Sequence, residues 1–507
     1  MAEVYNKTLN IVKNNEEQNI GLFVGEASDS PALELDDAEY SGNAVLYTES
    51  TDVSDSQNLK IFEDEGYLPL FTDSSDVQET SSDPCFVVRD GETEVFAHIY
   101  NSSDLSFLTL SVDGNTYAID KTAKPDPKPK FADENKIYGF KIDKNDSNPA
   151  TRVTYTDDAV GFTPTTLNSD GTLNLGSWTN RFVIKAFRPV MLNYDGTVAY
   201  ELDHDDQTKK LDGTASDISN TSFGGNAMVG ASRLWFYCYD DGNYEYCKVA
   251  AYQVNANYKA YAHIDANGNL KEEIYLPMFE GSYISSKMRS LAGQSPGVSQ
   301  NGTTEITYAQ ANGTGWYTDD WINHKLIENL AILISRSTNS QTSFGRGFVD
   351  GNSAPCQTGT LKNKGMFYGP SGGKSAVKLF YIENYYGSRW DRIAGCVTKS
   401  DYKVWVKPNP PYNTDGTGYT AISTLFTSGN SGYTNKCTMT EYGLVPTQIG
   451  GSETTYYADY FFLYSGASYG WYGGYWGDGG GCGLGYLYLY NAVSFSNGDL
   501  GASLSYK

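Results

Sequence analysis

Hydrophobic and polar positions alternate in many short runs along this 507-residue chain, among them residues 20–24, 45–47, 107–112 and 138–142. Period-two alternation marks half-buried strands. Between the runs stand turn-forming pairs, including Asp113-Gly114, Asp170-Gly171, Asp195-Gly196, Asp241-Gly242 and Asp350-Gly351. Such pairs suit the left-handed backbone of tight hairpins. A hairpin over 234–249 with Gly242-Asn243 as its loop sets Cys238 opposite Cys247. That geometry permits a disulfide without requiring one, and reduced thiols are the expectation. One segment departs from the β pattern. Ile322, Leu326, Leu330 and Leu333 fall on one helical face within 319–336, with Asp319 or Asp320 placed to cap it. The sharpest alternation is at 484–490. Leu487 and Leu489 take one face, and Tyr486, Tyr488 and Tyr490 take the other. The pattern predicts a strand whose leucines enter a core and whose tyrosines form an exposed patch.

These elements predict a mainly β, multidomain chain. Residues 1–120 form an acidic β region. Residues 121–135 form a linker, because Pro125, Pro127 and Pro129 alternate with charged residues and cannot join a central sheet. Residues 136–224 form a β middle region, and 225–507 hold the aromatic-rich remainder with the helix. A net charge of −24 argues against nucleic acid as a partner. No apolar run reaches membrane-span length, so no membrane insertion is expected. The N-terminus lacks a basic-then-apolar leader, and seven cysteines are scattered. Both fit synthesis in the cytoplasm with free thiols.

Candidate chemistry is sparse. Residues 369–375 imitate a phosphate loop but fall one residue short, and a strand pattern follows where a helix is needed. Asp203, His204, Asp205 and Asp206, and the loop at Asp265, lack calcium-loop spacing and read as turns. Four histidines spread along the chain suggest no metal cluster. No Ser-His-Asp or paired-carboxylate spacing supports a hydrolase. The expectation is a protein without cofactor or catalytic residues.

Residues 464–507 are built mostly from Gly, Tyr, Ser, Asn, Asp, Leu, Ala and Trp. Tyrosine supplies rigid amphipathic area, and Ser, Gly and Asn supply adaptable hydrogen bonds, as in antibody paratopes. Within this cassette run Gly473-Gly474-Tyr475-Trp476, Gly483-Leu484-Gly485, Asn491-Ala492 and Gly501-Ala502-Ser503-Leu504. Upstream, Gly387 precedes the pair Trp390-Asp391. Together these segments resemble the C-type-lectin-like variable proteins targeted by diversity-generating retroelements. Related cassettes occur in bacteriophage tail receptor-binding proteins, and formylglycine-generating enzymes share the scaffold. Residues 155–164 resemble the entry module of the same tail proteins.

The resemblance implies an α+β C-type-lectin-like domain over 225–507. Its framework would include Gly387, Trp390, Asp391, Gly473, Gly474, Trp476 and Gly501. Its ligand-binding surface would include Tyr469, Tyr475, Gly477, Asp478, Tyr486, Tyr488, Tyr490, Asn491, Phe495, Asn497 and Asp499. All eleven are types reachable by adenine substitution in an Asn codon. Trp471 and Trp476 are not, and are read as scaffold. The implied protein belongs to a virion, at the tail. It binds a host cell-surface receptor, protein or glycan, and contacts other virion proteins through 1–120 as a homo-oligomer, a trimer. Two other readings stand beside it. One is a structural virion protein, a head fibre or decoration. The other is an enzyme of the formylglycine-generating type, with Cys437 and Cys482 as its reactive pair.

Overall fold

The computed structural model describes residues 131–507 except 352, 423–428 and 465–466, and, before them, the backbone of eight strands. The chain is mainly β and divides into two compact units, Met1–Lys130 and Phe131–Lys507. In the first unit the eight strands form one sheet that opens with the antiparallel pair Tyr5–Lys13 and Glu16–Glu26. The Lys/Pro run at 121–130 and the Asp113-Gly114 turn lie outside the described residues.

The second unit is built on three larger sheets. In the four-stranded sheet the order is Val153–Asp157, Ile137–Asp143, Tyr244–Ala250, Trp235–Asp240. In the six-stranded sheet, Phe187–Asn193 pairs with Gly225–Ser232. Leu504–Tyr506 lies between Glu273–Pro277 and Trp316–Thr318. Both sheets therefore mix strands from 136–224 with strands from 225–507, and one apolar core runs from Phe131 to Leu489. Alternation reveals a strand but not its partner, so the boundary at 224 marks a change of composition and not an edge of the core. Asp203 and Asp265 accept backbone N–H bonds within their own turns. No helix follows 369–375.

The third sheet positions the site. Its strands are β1 (Trp390–Thr398), β2 (Val404–Val406), β3 (Thr420–Ala421), β4 (Asn430–Thr440), β5 (Gly443–Ile449), β6 (Tyr460–Leu463), β7 (Ser468–Gly473), β8 (Gly483–Leu489) and β9 (Leu500–Ala502). The order is β3-β2-β1-β7-β8-β6-β4-β5, and β9 runs parallel to β1.

The helix Trp321–Ser335 packs against β1 and β5. Asp320 caps it by accepting from the Asn323 N–H at 3.0 Å, and Arg336 ends it in the left-handed conformation. Ile322, Leu326, Leu330 and Leu333 lie in the core as their spacing requires, but every other residue of the helix is buried too. Several of its polar groups are paired inside the protein. Lys325 meets Glu328 at 2.5 Å, and His324 Nε2 donates to the Leu484 carbonyl at 2.6 Å. The His324 bond ties the helix to β8.

The hairpin Trp235–Asp240 and Tyr244–Ala250 sets Cys238 directly opposite Cys247, with their sulfurs 3.1 Å apart as thiols.

Candidate functional site

Strand β8 separates two apolar environments. Leu484, Leu487 and Leu489 enter the main core beside Phe461 and Leu463 of β6 and Tyr472 of β7. Tyr486 and Tyr488 turn the other way, into a second cluster with Trp390, Trp471, Leu500, Tyr460 and Tyr475. Period-two geometry separates Leu487 and Leu489 from Tyr486 and Tyr488, since successive side chains leave opposite faces of a strand, and a register irregularity between Gly483 and Leu487 brings Leu484 to the core side. The second cluster walls an open cleft of about 480 Å³.

Register sets the rings in a row. Tyr488 pairs with Phe462 across β6 and with Trp471 across β7. The Phe462 and Tyr488 rings stack at 5.0 Å, and the Tyr488 and Trp471 rings at 4.7 Å with 12° between their planes. Phe495 continues the row beyond Trp471 at 5.7 Å. Behind it, Trp390 meets Tyr486 edge-on at 4.5 Å, and Tyr460 meets Tyr486 at 5.7 Å. Offset and edge-to-face contacts of this kind add to simple burial.

Two loops complete the rim. The loop 474–482 carries Tyr475 and Asp478. It leaves β7 through Gly474, whose φ of +83° favours glycine and where a Cβ would stand 2.3 Å from Cys482 Sγ. The loop 491–499 carries Asn491, Phe495, Asn497 and Asp499. Its backbone is fixed at Trp390 N–H to Asp499 O (2.8 Å) and at Ser299 N–H to Asn497 O (2.9 Å), and Arg392 donates to the Phe495 carbonyl. Arg392 is itself buried and paired with Glu305.

Two carboxylates border the cleft, Asp478 and Asp499. Burial pushes Asp478 up to about 7; the Tyr475 N–H opposes this at 3.3 Å, and the Asp499 charge adds to it. Burial also raises Asp499. It raises the Tyr488 phenol to about 12. Among the described residues no lysine, arginine or histidine lines the cleft.

Eight of the eleven residues expected on the ligand surface line this one cleft: Tyr475, Asp478, Tyr486, Tyr488, Asn491, Phe495, Asn497 and Asp499. Three do not. Tyr469 is 2 % exposed, packed with Val397 and Tyr419 and flanked by Val493. It shares a strand face with Trp471, but these neighbours roof it. Gly477 is exposed outside the lining. Tyr490 stands 40 % exposed beside Tyr464, extending the aromatic strip outward.

The expected exposed tyrosine patch needs correction. Tyr486 is only 5 % exposed, because Trp390 and Tyr460 close on its ring, and Tyr488 is half-buried. The stripe forms the floor of a concavity and not a projecting surface.

The framework residues hold the cleft from behind. Asp391 Oδ1 accepts from Arg389 Nη2 at 3.0 Å and from Ser503 Oγ at 2.9 Å. Gly387 donates its N–H to the Gly473 carbonyl at 3.1 Å, and Trp476 donates its own to Ser388 O at 3.2 Å. Gly501 lies where a Cβ would come 2.1 Å from the Gly297 carbonyl. Trp390 and Trp471, assigned to the scaffold by sequence, are also walls of the cleft.

Sequence reasoning missed Tyr433, Tyr460 and Phe462, which supply the far wall from outside the C-terminal cassette. The available signal was the spacing of Tyr460 and Phe462 two residues apart in an all-apolar run. Without a polar member, that run does not reveal which face is open.

Cys437 and Cys482 sit among different neighbours, and burial holds both thiols well above the usual cysteine range. A nucleophilic thiolate needs the opposite environment. No protein-family model matches the chain, and no curated protein is similar to it.

Proposed function

We propose that this chain is a bacteriophage tail protein whose Phe131–Lys507 unit is a C-type-lectin-like receptor-binding domain. The observation that carries the reading is convergence. The Trp390 segment and the C-terminal cassette, far apart in sequence, meet in one aromatic cleft of about 480 Å³, a size within the usual range for ligand sites. Its rings are rigid anchors, and Asn491 and Asn497 at its rim offer adaptable hydrogen bonds. The anchored loops preorganise the cleft, which reduces the ordering cost of binding. The ligand is a host cell-surface molecule. Residues 1–120 join the protein to other virion components as a trimer. The buried, high-pKa thiols at 437 and 482 favour binding over formylglycine-type chemistry.

The test is attachment of the fluorescently labelled full chain to a panel of bacterial cells, read by flow cytometry. Tyr488→Ala/Phe495→Ala is the informative variant, because both side chains are partly exposed and line the cleft. Attachment of wild type to at least one strain, lost in a variant that still unfolds cooperatively within a few degrees of wild type, supports the reading. Full attachment by the variant removes the cleft from it.

A further inference from the structure

Nine of the fourteen residues that line the cleft are aromatic, and the only charges there among the described residues are Asp478 and Asp499. Each carboxylate is partly withdrawn from water. Neither has an ion-pair partner among the described residues, whereas Glu280 and Glu305 in the core do. Withdrawing a carboxylate from water without a counter-charge is costly. A fold that holds two of them at one cavity leaves a place for a positive charge.

The aromatic walls favour the same occupant. Ring faces carry negative potential, and a cation over Trp or Tyr is attracted, the more so when partly desolvated.

Resting on the proposed role of the cleft in receptor binding, we infer that its ligand presents a cationic nitrogen. Two sources share that chemistry. One is a lysine or arginine side chain on a surface protein. The other is an amino sugar of a surface polymer. A neutral glycan stacking on the rings would satisfy the walls but leave both carboxylates without a counter-charge.

Calorimetric titration of the full chain distinguishes these. The probes are Nα-acetyl-lysine methylamide, glucosamine oligomers and their neutral N-acetylated counterparts. The cationic probes should bind at least about tenfold more tightly than the neutral ones, a difference of about 1.4 kcal/mol. The nearly isosteric Asp478→Asn/Asp499→Asn variant should bring them down to the neutral level without lowering the melting temperature. Tighter binding of the lysine derivative assigns a protein ligand, and of glucosamine an amino-sugar polymer. Equal affinity for charged and neutral probes, or full affinity in the Asn variant, overturns the inference. Cell attachment separates the two claims. If the Asn variant still attaches while Tyr488→Ala/Phe495→Ala does not, the cationic ligand falls and the cleft stands. If both variants attach, the cleft reading falls as well.

Discussion

Trp390 and Asp391 are adjacent in β1, and they face two differently furnished sets of acids. On the core side, Asp391 and Glu280 share the buried guanidinium of Arg389, at 3.0 Å and 3.5 Å. On the cleft side, beside Trp390, Asp478 and Asp499 have no such cation among the described residues. Burial raises all four carboxyls, Glu280 to about 8 and Asp478 to about 7. What differs is the opposition: Arg389 pulls Glu280 and Asp391 back toward ionisation, whereas only a backbone N–H does so for Asp478. A buried acid with its own cation is part of the framework. One without a cation, at an open cavity, is available to something that arrives from outside.

The comparison breaks most readily at Arg389. Arg389→Met strands Glu280 and Asp391 in the core and should cost about 3–5 kcal/mol of stability. Urea unfolding of the full chain measures it, and a loss below about 1 kcal/mol would show that the network does not depend on its cation. Next is the contrast across β8. Leu487→Ala opens a hole in the main core and should cost about 2–5 kcal/mol. Tyr488→Ala, on the cleft face, should cost only about 1–2 kcal/mol, mostly lost stacking on Trp471 and Phe462. Equal losses would mean that both faces are structural.

The smallest effect is the pH dependence of Asp478. Its carboxyl is raised to about 7 from an ordinary value near 4. The stability it contributes is therefore complete below that ordinary value and is lost as pH rises through about 7. The groups facing it are Asp499, Cys482 and the phenols of Tyr475, Tyr486 and Tyr488. Wild type should melt progressively lower than Asp478→Asn between about pH 5 and pH 8, and a cationic ligand should narrow the gap. A constant gap across that range would place Asp478 in water.

How much of this was legible in sequence depended on contrast between neighbouring residues. At 486–490 leucine alternates with tyrosine, and the strand and its core face follow. Asp320 and the spacing of Ile322 to Leu333 mark the helix within two residues of its ends. Where contrast vanishes, so does the reading. The run 460–463 is aromatic or aliphatic throughout, so nothing identifies Tyr460 and Phe462 as cleft walls. Tyr469 resembles its neighbours in composition and differs only in being covered by Tyr419 and Val493, both distant in sequence or loop-borne. The helix gave an apolar face but not its burial on every side, because that depends on β4, β5 and β8, distant in sequence, meeting Lys325 and Glu328.

Arg392 has a kinetic consequence. It is buried, locked to Glu305, and donates to the Phe495 carbonyl in the middle of the 491–499 loop, while β8 and β9 clamp the two ends. A rim fastened at three points has no swing to make when a ligand enters. Capture should therefore be a single encounter step, with an observed rate that rises linearly with ligand concentration and no plateau. Affinity differences among ligands will then be written in their escape rates. Releasing the middle fastening with Arg392→Met should introduce the plateau that the native cleft lacks.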